Sequence, residues 1–139
     1  MTNSSLGPAW DAGFAPYLSM ESQAEMISGK GTKDDRGKVP LSLMPPEAVF
    51  ETARVFAFGA KKYCRDNFRN GMDWSRMQDA AERHWKQWQM GEDLDPESGC
   101  HHLAHASCCT MMALVYVLDP GRYGKHDDRY KPTQLELPV

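Results

Sequence analysis

Apolar positions settle into a lasting helical period only after residue 45. In PPEAVFETARVFAFGAKKY, Val49, Phe50, Ala53, Phe56, Ala57 and Ala60 fall at i, i+1, i+4, i+7, i+8 and i+11, which is one face of a helix. Pro46 suits the first helical position because its missing N–H would have no partner there, and Glu47 places an acid in the first turn. The first helix is therefore predicted to begin here. CRDNFRNGMDW has no period and carries Asn70-Gly71, so it reads as a loop. A second helix follows, with Asp73 or Ser75 as cap, running to about Met90. Its stripe is Met77, Ala80, Ala81, His84, Trp85 and Trp88, and Gly91 stops it. After the acidic turn EDLDPESG, Ser98 is expected to cap a third helix to about Leu118, ended by Asp119, Pro120 and Gly121. No strand pattern competes and no repeat appears, so the fold class is all-α.

The third helix is apolar on two sides toward its C-terminal half. Leu103, Ala106, Thr110, Leu114 and Val117 lie on one face, and Met112, Ala113 and Tyr116 on the other. A helix apolar all round is buried all round. Three helices give one chain a thin core, so a homo-oligomer, a dimer or tetramer, is expected to cover this one. Residues 1–37 hold Gly, Ser, Pro and charge without a lasting period and read as an N-terminal arm. The helical domain is then 38–120, and the tail 121–139 is expected either to wrap a neighbour or to stay mobile.

Charge and cysteine usage narrow the class. The 139 residues hold 16 Lys and Arg against 19 Asp and Glu, for a net charge of -3, which leaves no cationic excess for a nucleic-acid polymer. No apolar run reaches the roughly 18 residues that cross a membrane, and the N-terminus lacks a signal-peptide pattern. A cytoplasmic protein is expected, in the host cytoplasm if phage-encoded. Of the four cysteines, Cys108 and Cys109 are adjacent on a helix, a poor geometry for bonding each other, so reduced thiols are expected.

The densest chemistry lies in ESGCHHLAHASCC, residues 97–109. His102, His105 and Cys109 share one helical face, and His101, His105 and Cys108 share a slightly rotated one. Two ligand sets are open. One joins His102 and His105 to nearby acids, an N/O site for Mg²⁺, Mn²⁺ or similar ions acting on phosphate. The other joins His101, His105 and Cys108, with Cys64, in a closed zinc site. Glu92, Asp93, Asp95 and Glu97 stand directly upstream and would repel one another unless a cation or the helix dipole offset them. On the second helix, Arg76, Asp79, Arg83 and Gln87 form a polar stripe that the short connection brings across from the histidines. The loop GAKKYCRDNFRNGMDW supplies lysines and aromatics that suit either a base and its phosphates or an apolar lid.

The segment from Lys33 to about Leu118 resembles the phage-borne dATP/dGTP diphosphohydrolase N-terminal family, whose members are similar to MazG-like all-α nucleoside triphosphate pyrophosphatases. The motifs carrying the resemblance are Gly59-Ala60-Lys61-Lys62-Tyr63, Asn67, Gly71, Trp74-Ser75-Arg76, Asp79-Ala80-Ala81, Arg83-His84, Gly91-Glu92, Asp95, Glu97-Ser98-Gly99, His102 and His105. The resemblance implies a MazG-like bundle that converts a deoxynucleoside triphosphate to monophosphate and pyrophosphate. Metal ligands are then expected among Asp79, Glu92, Glu97, His102 and His105, with Glu97 also positioning the attacking water. Lys61 and Arg83 are expected on phosphate oxygens; Tyr63, Asn67, Trp74 and His84 complete the substrate-binding set. The ion expected is Mg²⁺ or Mn²⁺, with zinc as the alternative. The pattern departs from MazG-like enzymes in having Asp79-x-x-Glu82 and His102-x-x-His105 in place of their E-x-x-E and E-x-x-D helices, and Phe68 where the family often has Trp. Two other readings stay open: a metal phosphohydrolase that releases phosphate, and a zinc-stabilised helical binding module without turnover.

Overall fold

The computed structural model describes residues 33–131. The expected N-terminal arm falls largely outside them, as do residues 132–139. The described residues divide into two units, with the boundary between Leu43 and Met44. In the first, Arg36 forks onto Asp34 and a short 3-10 turn spans Leu41–Leu43.

The second unit is helical. Its helices are α1 (Pro46–Tyr63), α2 (Trp74–Gln89), α3 (His102–Leu118) and the single turn α4 (Pro120–Tyr123). The described residues hold no strand, only an isolated antiparallel bridge between Leu94 and His101. The all-α expectation stands. Pro46 begins α1 as its N-terminal proline, and Gly91, at φ +91°, follows the end of α2. The loop between α1 and α2 contains a 3-10 turn at Asn67–Asn70.

α3 packs most extensively against α2 and also against α1. The core has two parts. Val55, Cys100, Ala104 and Cys108 join α1 to α3; Trp74, Met77, Tyr116 and Tyr123 join α2, α3 and α4, and Met112 touches both groups. Tyr116 is fully buried and stacks on Tyr123, centroids 4.1 Å apart.

Two expectations need correcting. α3 starts at His102, four residues after Ser98, because residues 94–101 form a closed turn before the helix can begin. Residues 121–128 belong to the domain: Tyr123 is buried, the Trp74 indole donates to its carbonyl, and Asp128 accepts from the Ser75 backbone N–H. No single helix among the described residues is long and apolar enough to cross a membrane.

Candidate functional site

The site is built by the turn that precedes α3. The Asp95 N–H donates to the Cys100 carbonyl at 2.8 Å, the Gly99 N–H to the Asp95 carbonyl at 2.8 Å, and the His102 N–H to the Asp93 carbonyl at 2.9 Å. Gly99 sits at φ +68°, where most side chains are disfavoured. These bonds fold the acidic segment back onto the first turn of α3, so Asp95 faces the histidines.

Ser98 organises the inner layer. Its N–H and its hydroxyl both reach Asp95 Oδ2, at 2.9 and 2.7 Å, and its Oγ lies 2.7 Å from His105 Nε2. The Cys100 N–H also donates to that Oγ, at 3.1 Å. A carboxylate only accepts, so the single hydroxyl proton goes to Asp95, and His105 must donate its Nε2–H to Ser98. The tautomer of His105 follows from its neighbours. Its ring stacks on His84, centroids 4.3 Å apart and planes 18° from parallel.

His84 comes from the middle of α2, whose neighbour α3 presents His102. The two Nδ1 atoms are 2.8 Å apart. His102 is only 2 % exposed, and its Nε2 has no hydrogen-bond partner; the nearest carboxylate oxygen, Oε2 of Glu92, is 3.5 Å away. That is too long and leaves a buried donor or acceptor unsatisfied. Ligand atoms of His84, Asp95 and His102 all lie within 4.8 Å of one another, the one such group of three among the described residues.

Electrostatics favour neutral imidazoles beside an ionised acid. Burial, then the neighbouring His105 and His102, push His84 down to about 4. Burial also lowers His105, although Asp95 opposes this. Burial alone would raise Asp95, but the Ser98 hydroxyl and N–H reverse the balance and hold it below its ordinary value. Neutral imidazole and carboxylate are the forms that bind metal. The thiols are the opposite case, since burial pushes Cys108 up to about 12 and raises Cys109 as well, and a protonated thiol is a poor ligand.

The expected site residues are distributed unevenly over this geometry. Of the expected metal ligands only His102 is in the gathered group; His105 lies beside it, on Ser98 and against His84, and Glu92 stands at its edge, 3.5 Å from His102. His84, expected on substrate, sits between the other two histidines. Asp79 lies exposed on α2 outside the ligand group. Glu97 is exposed and pairs with Lys62 of α1. Lys61, Lys62, Phe58 and Glu97 line an open cleft of about 400 Å³, with Tyr63 exposed beside Lys62. Arg83 is exposed and Asn67 half-buried. Trp74 is 8 % exposed, its indole N–H is taken by Tyr123 and its ring is covered by the Arg129 guanidinium at 4.4 Å, so it is core. The set His101, His105, Cys108 and Cys64 is not gathered within ligand distance. Asp95 is one of the upstream acids the sequence offers but not one of the five residues expected individually as metal ligands. The signal for it is Asp95 three residues before Ser98 across Pro96, a spacing at which an aspartate oxygen accepts from the N–H three residues on and turns back onto its own backbone.

A model of the dATP/dGTP diphosphohydrolase N-terminal family matches residues 28–129. The chain is 46% identical over 89 residues to a dATP/dGTP diphosphohydrolase of Salmonella phage PMBT28; the match covers 64% of this chain and 30% of that relative. The chain thus spans about a third of the relative's length. No solved structure matches.

Proposed function

Because the chain belongs to the dATP/dGTP diphosphohydrolase N-terminal family, we propose that it hydrolyses a purine deoxynucleoside triphosphate, dATP or dGTP, to monophosphate and pyrophosphate with a divalent ion, Mg²⁺ or Mn²⁺. The observation that carries this reading is the group of half-buried His84 and Asp95 with buried His102 between α2 and α3; Glu97, two residues from Asp95, also lines the open cleft that bears Lys61 and Lys62. Water oxygen bonds to the α-phosphorus, the α,β-anhydride bond breaks, and pyrophosphate leaves. A divalent ion held in the seam would neutralise phosphate charge and lower the pKa of a water.

The chain's own groups supply the rest. Lys61 and Lys62 bind phosphate oxygens as point charges, and Tyr63 offers an exposed ring to the base. When Lys62 turns to phosphate, Glu97 is released and becomes the carboxylate that positions water. His105, held through Ser98 on Asp95, keeps the His84 ring in place by stacking. The same reading takes a MazG-like bundle completed by a second copy, because Leu114, Val117 and Leu118 leave the far side of α3 apolar and about half exposed.

One observation favours a second reading. The family is an N-terminal one, and the phage relative is matched over only 30% of its length. Turnover in that relative then belongs to its remaining part, and this domain binds nucleotide or ion without cleaving it. Incubation with each of the common ribo- and deoxynucleoside triphosphates plus Mg²⁺ or Mn²⁺, read by chromatography, separates the two. The proposal expects monophosphate and pyrophosphate from dATP and dGTP. Orthophosphate would point to another phosphohydrolase, and nucleotide binding without product would point to the binding domain.

A further inference from the structure

We propose that His84, His102 and Asp95 form a three-ligand site for a first-row transition ion, filled by Zn²⁺ or Co²⁺ in preference to Mg²⁺. The inference rests on the reading that the seam between α2 and α3 is the working site, and it replaces the Mg²⁺ or Mn²⁺ of that reading with a later first-row ion at this seam.

Three observations carry it. First, two imidazoles meet at their Nδ1 atoms, 2.8 Å apart. A neutral pair places one proton between two lone pairs, whereas one ion serves both. Zinc–imidazole bonds of about 2.0–2.1 Å at the tetrahedral angle put two nitrogens about 3.3 Å apart, so the two rings need part by only about half an ångström to take the ion. Second, His102 is almost wholly buried with Nε2 unpartnered, and the Glu92 carboxylate stands 3.5 Å from it. With Nδ1 on an ion, the ring proton resides on Nε2 and faces Glu92. This is the carboxylate–imidazole–metal arrangement that fixes ring orientation and raises ligand basicity. Third, the hydrogen bonds Asp95 accepts fall on Oδ2, which leaves Oδ1 for an ion. Ser98, which makes them, thereby aims the carboxylate.

The donor set decides the class of ion. Mg²⁺ requires near-octahedral oxygen ligation and keeps several waters, while imidazole suits zinc and the later first-row ions. Two nitrogens and one oxygen from the protein leave positions open for water or a phosphate oxygen, as in catalytic rather than structural zinc sites. The thiols take no part, since Cys108 and Cys109 pack in the interior and are not among the grouped ligand atoms.

The test is calorimetric titration of the metal-stripped full chain with Co²⁺ and with Mg²⁺, without nucleotide, alongside the absorption spectrum of the Co²⁺ form. The expected result is one Co²⁺ per chain, bound at least about 100-fold more tightly than Mg²⁺, with d–d bands and no thiolate charge-transfer band. His102→Gln and Asp95→Asn should abolish that stoichiometric binding, Glu92→Gln should weaken it by about 10–100-fold, and Cys64→Ser should leave it unchanged. Binding that is absent, no tighter than Mg²⁺, unaltered in the two ligand variants, or accompanied by a thiolate band overturns the proposal. A ring-nitrogen NMR titration of the unsubstituted chain with Zn²⁺ guards against misfolded variants. It should move Nδ1 of His84 and His102, and shifts confined to His101 and His126 would overturn the site. Binding is read apart from turnover, so Mg²⁺-supported hydrolysis with no Co²⁺ site would sink this inference alone, and a Co²⁺ site without hydrolysis would sink the activity alone.

Discussion

At position 71 a side chain has no room. Gly71 sits at φ +94°, and a Cβ there would lie 2.4 Å from the His126 ring. Gly71→Ala should destabilise the domain by about 1–3 kcal/mol, from backbone strain alone before the clash is counted. Gly59, in the interior of α1 with nothing within 4 Å of an added Cβ, has the opposite sign. Gly59→Ala should stabilise by about 0.5–1 kcal/mol, because alanine loses less backbone entropy in a helix. Thermal unfolding of the two variants checks both signs. The thiols give a second residue-scale prediction: iodoacetamide should label exposed Cys64 in the folded chain, while buried Cys100, Cys108 and Cys109 react only after unfolding. Mass spectrometry of the labelled peptides reads this. Which residues were legible follows from what their environment adds. His102 and His105 stood out from spacing within one helix. His84 and Asp95 were named, the one for substrate and the other among the upstream acids, but not as ligands, because that role arises where α2, α3 and the turn meet, and a single helical face carries no record of its neighbour.

For the elements, apolar period and terminal residues were enough to place α1 and α2, since Pro46 and Gly91 act within a few residues of themselves. The start of α3 was misplaced because Ser98 can satisfy either a helix terminus or a turn, and Asp95 and His105 together hold it in the turn. The N-cap position of α2 was legible, but the group that bonds there was not. Asp73 occupies the N-cap position without a side-chain bond, and the carboxylate that accepts from the Ser75 N–H, at 2.9 Å, is Asp128, 53 residues along the chain. The Ser75 hydroxyl, and after it that backbone bond, hold the Asp128 carboxyl below its ordinary value. A depressed folded-state value means stability present above the ordinary carboxylate range and lost as pH falls through it. Asp128→Ala should therefore lower the melting temperature at neutral pH, and the difference from the unsubstituted chain should shrink as the buffer is taken to pH values below that range. An equal difference at every pH would show that the carboxylate is not the cap.

For the whole molecule, the helical unit leaves apolar surface on two helices. Trp85 and Trp88 on α2, and Leu114, Val117 and Leu118 on α3, are each between 41% and 56% exposed. Light scattering should give a mass that is a multiple of 15.7 kDa, and a folded species of 15.7 kDa would remove the second copy from the account. The central claim is that this domain itself cleaves the α,β-anhydride bond at the histidine seam. Phosphorus NMR of dGTP with the stripped chain resupplied with Mg²⁺, Mn²⁺ or Zn²⁺ in turn, repeated with His102→Gln, tests it most directly. Pyrophosphate and dGMP should appear in equal amounts with at least one ion, and neither with the folded variant; orthophosphate as product, unchanged dGTP with every ion, or an equal rate from His102→Gln would contradict cleavage at the seam.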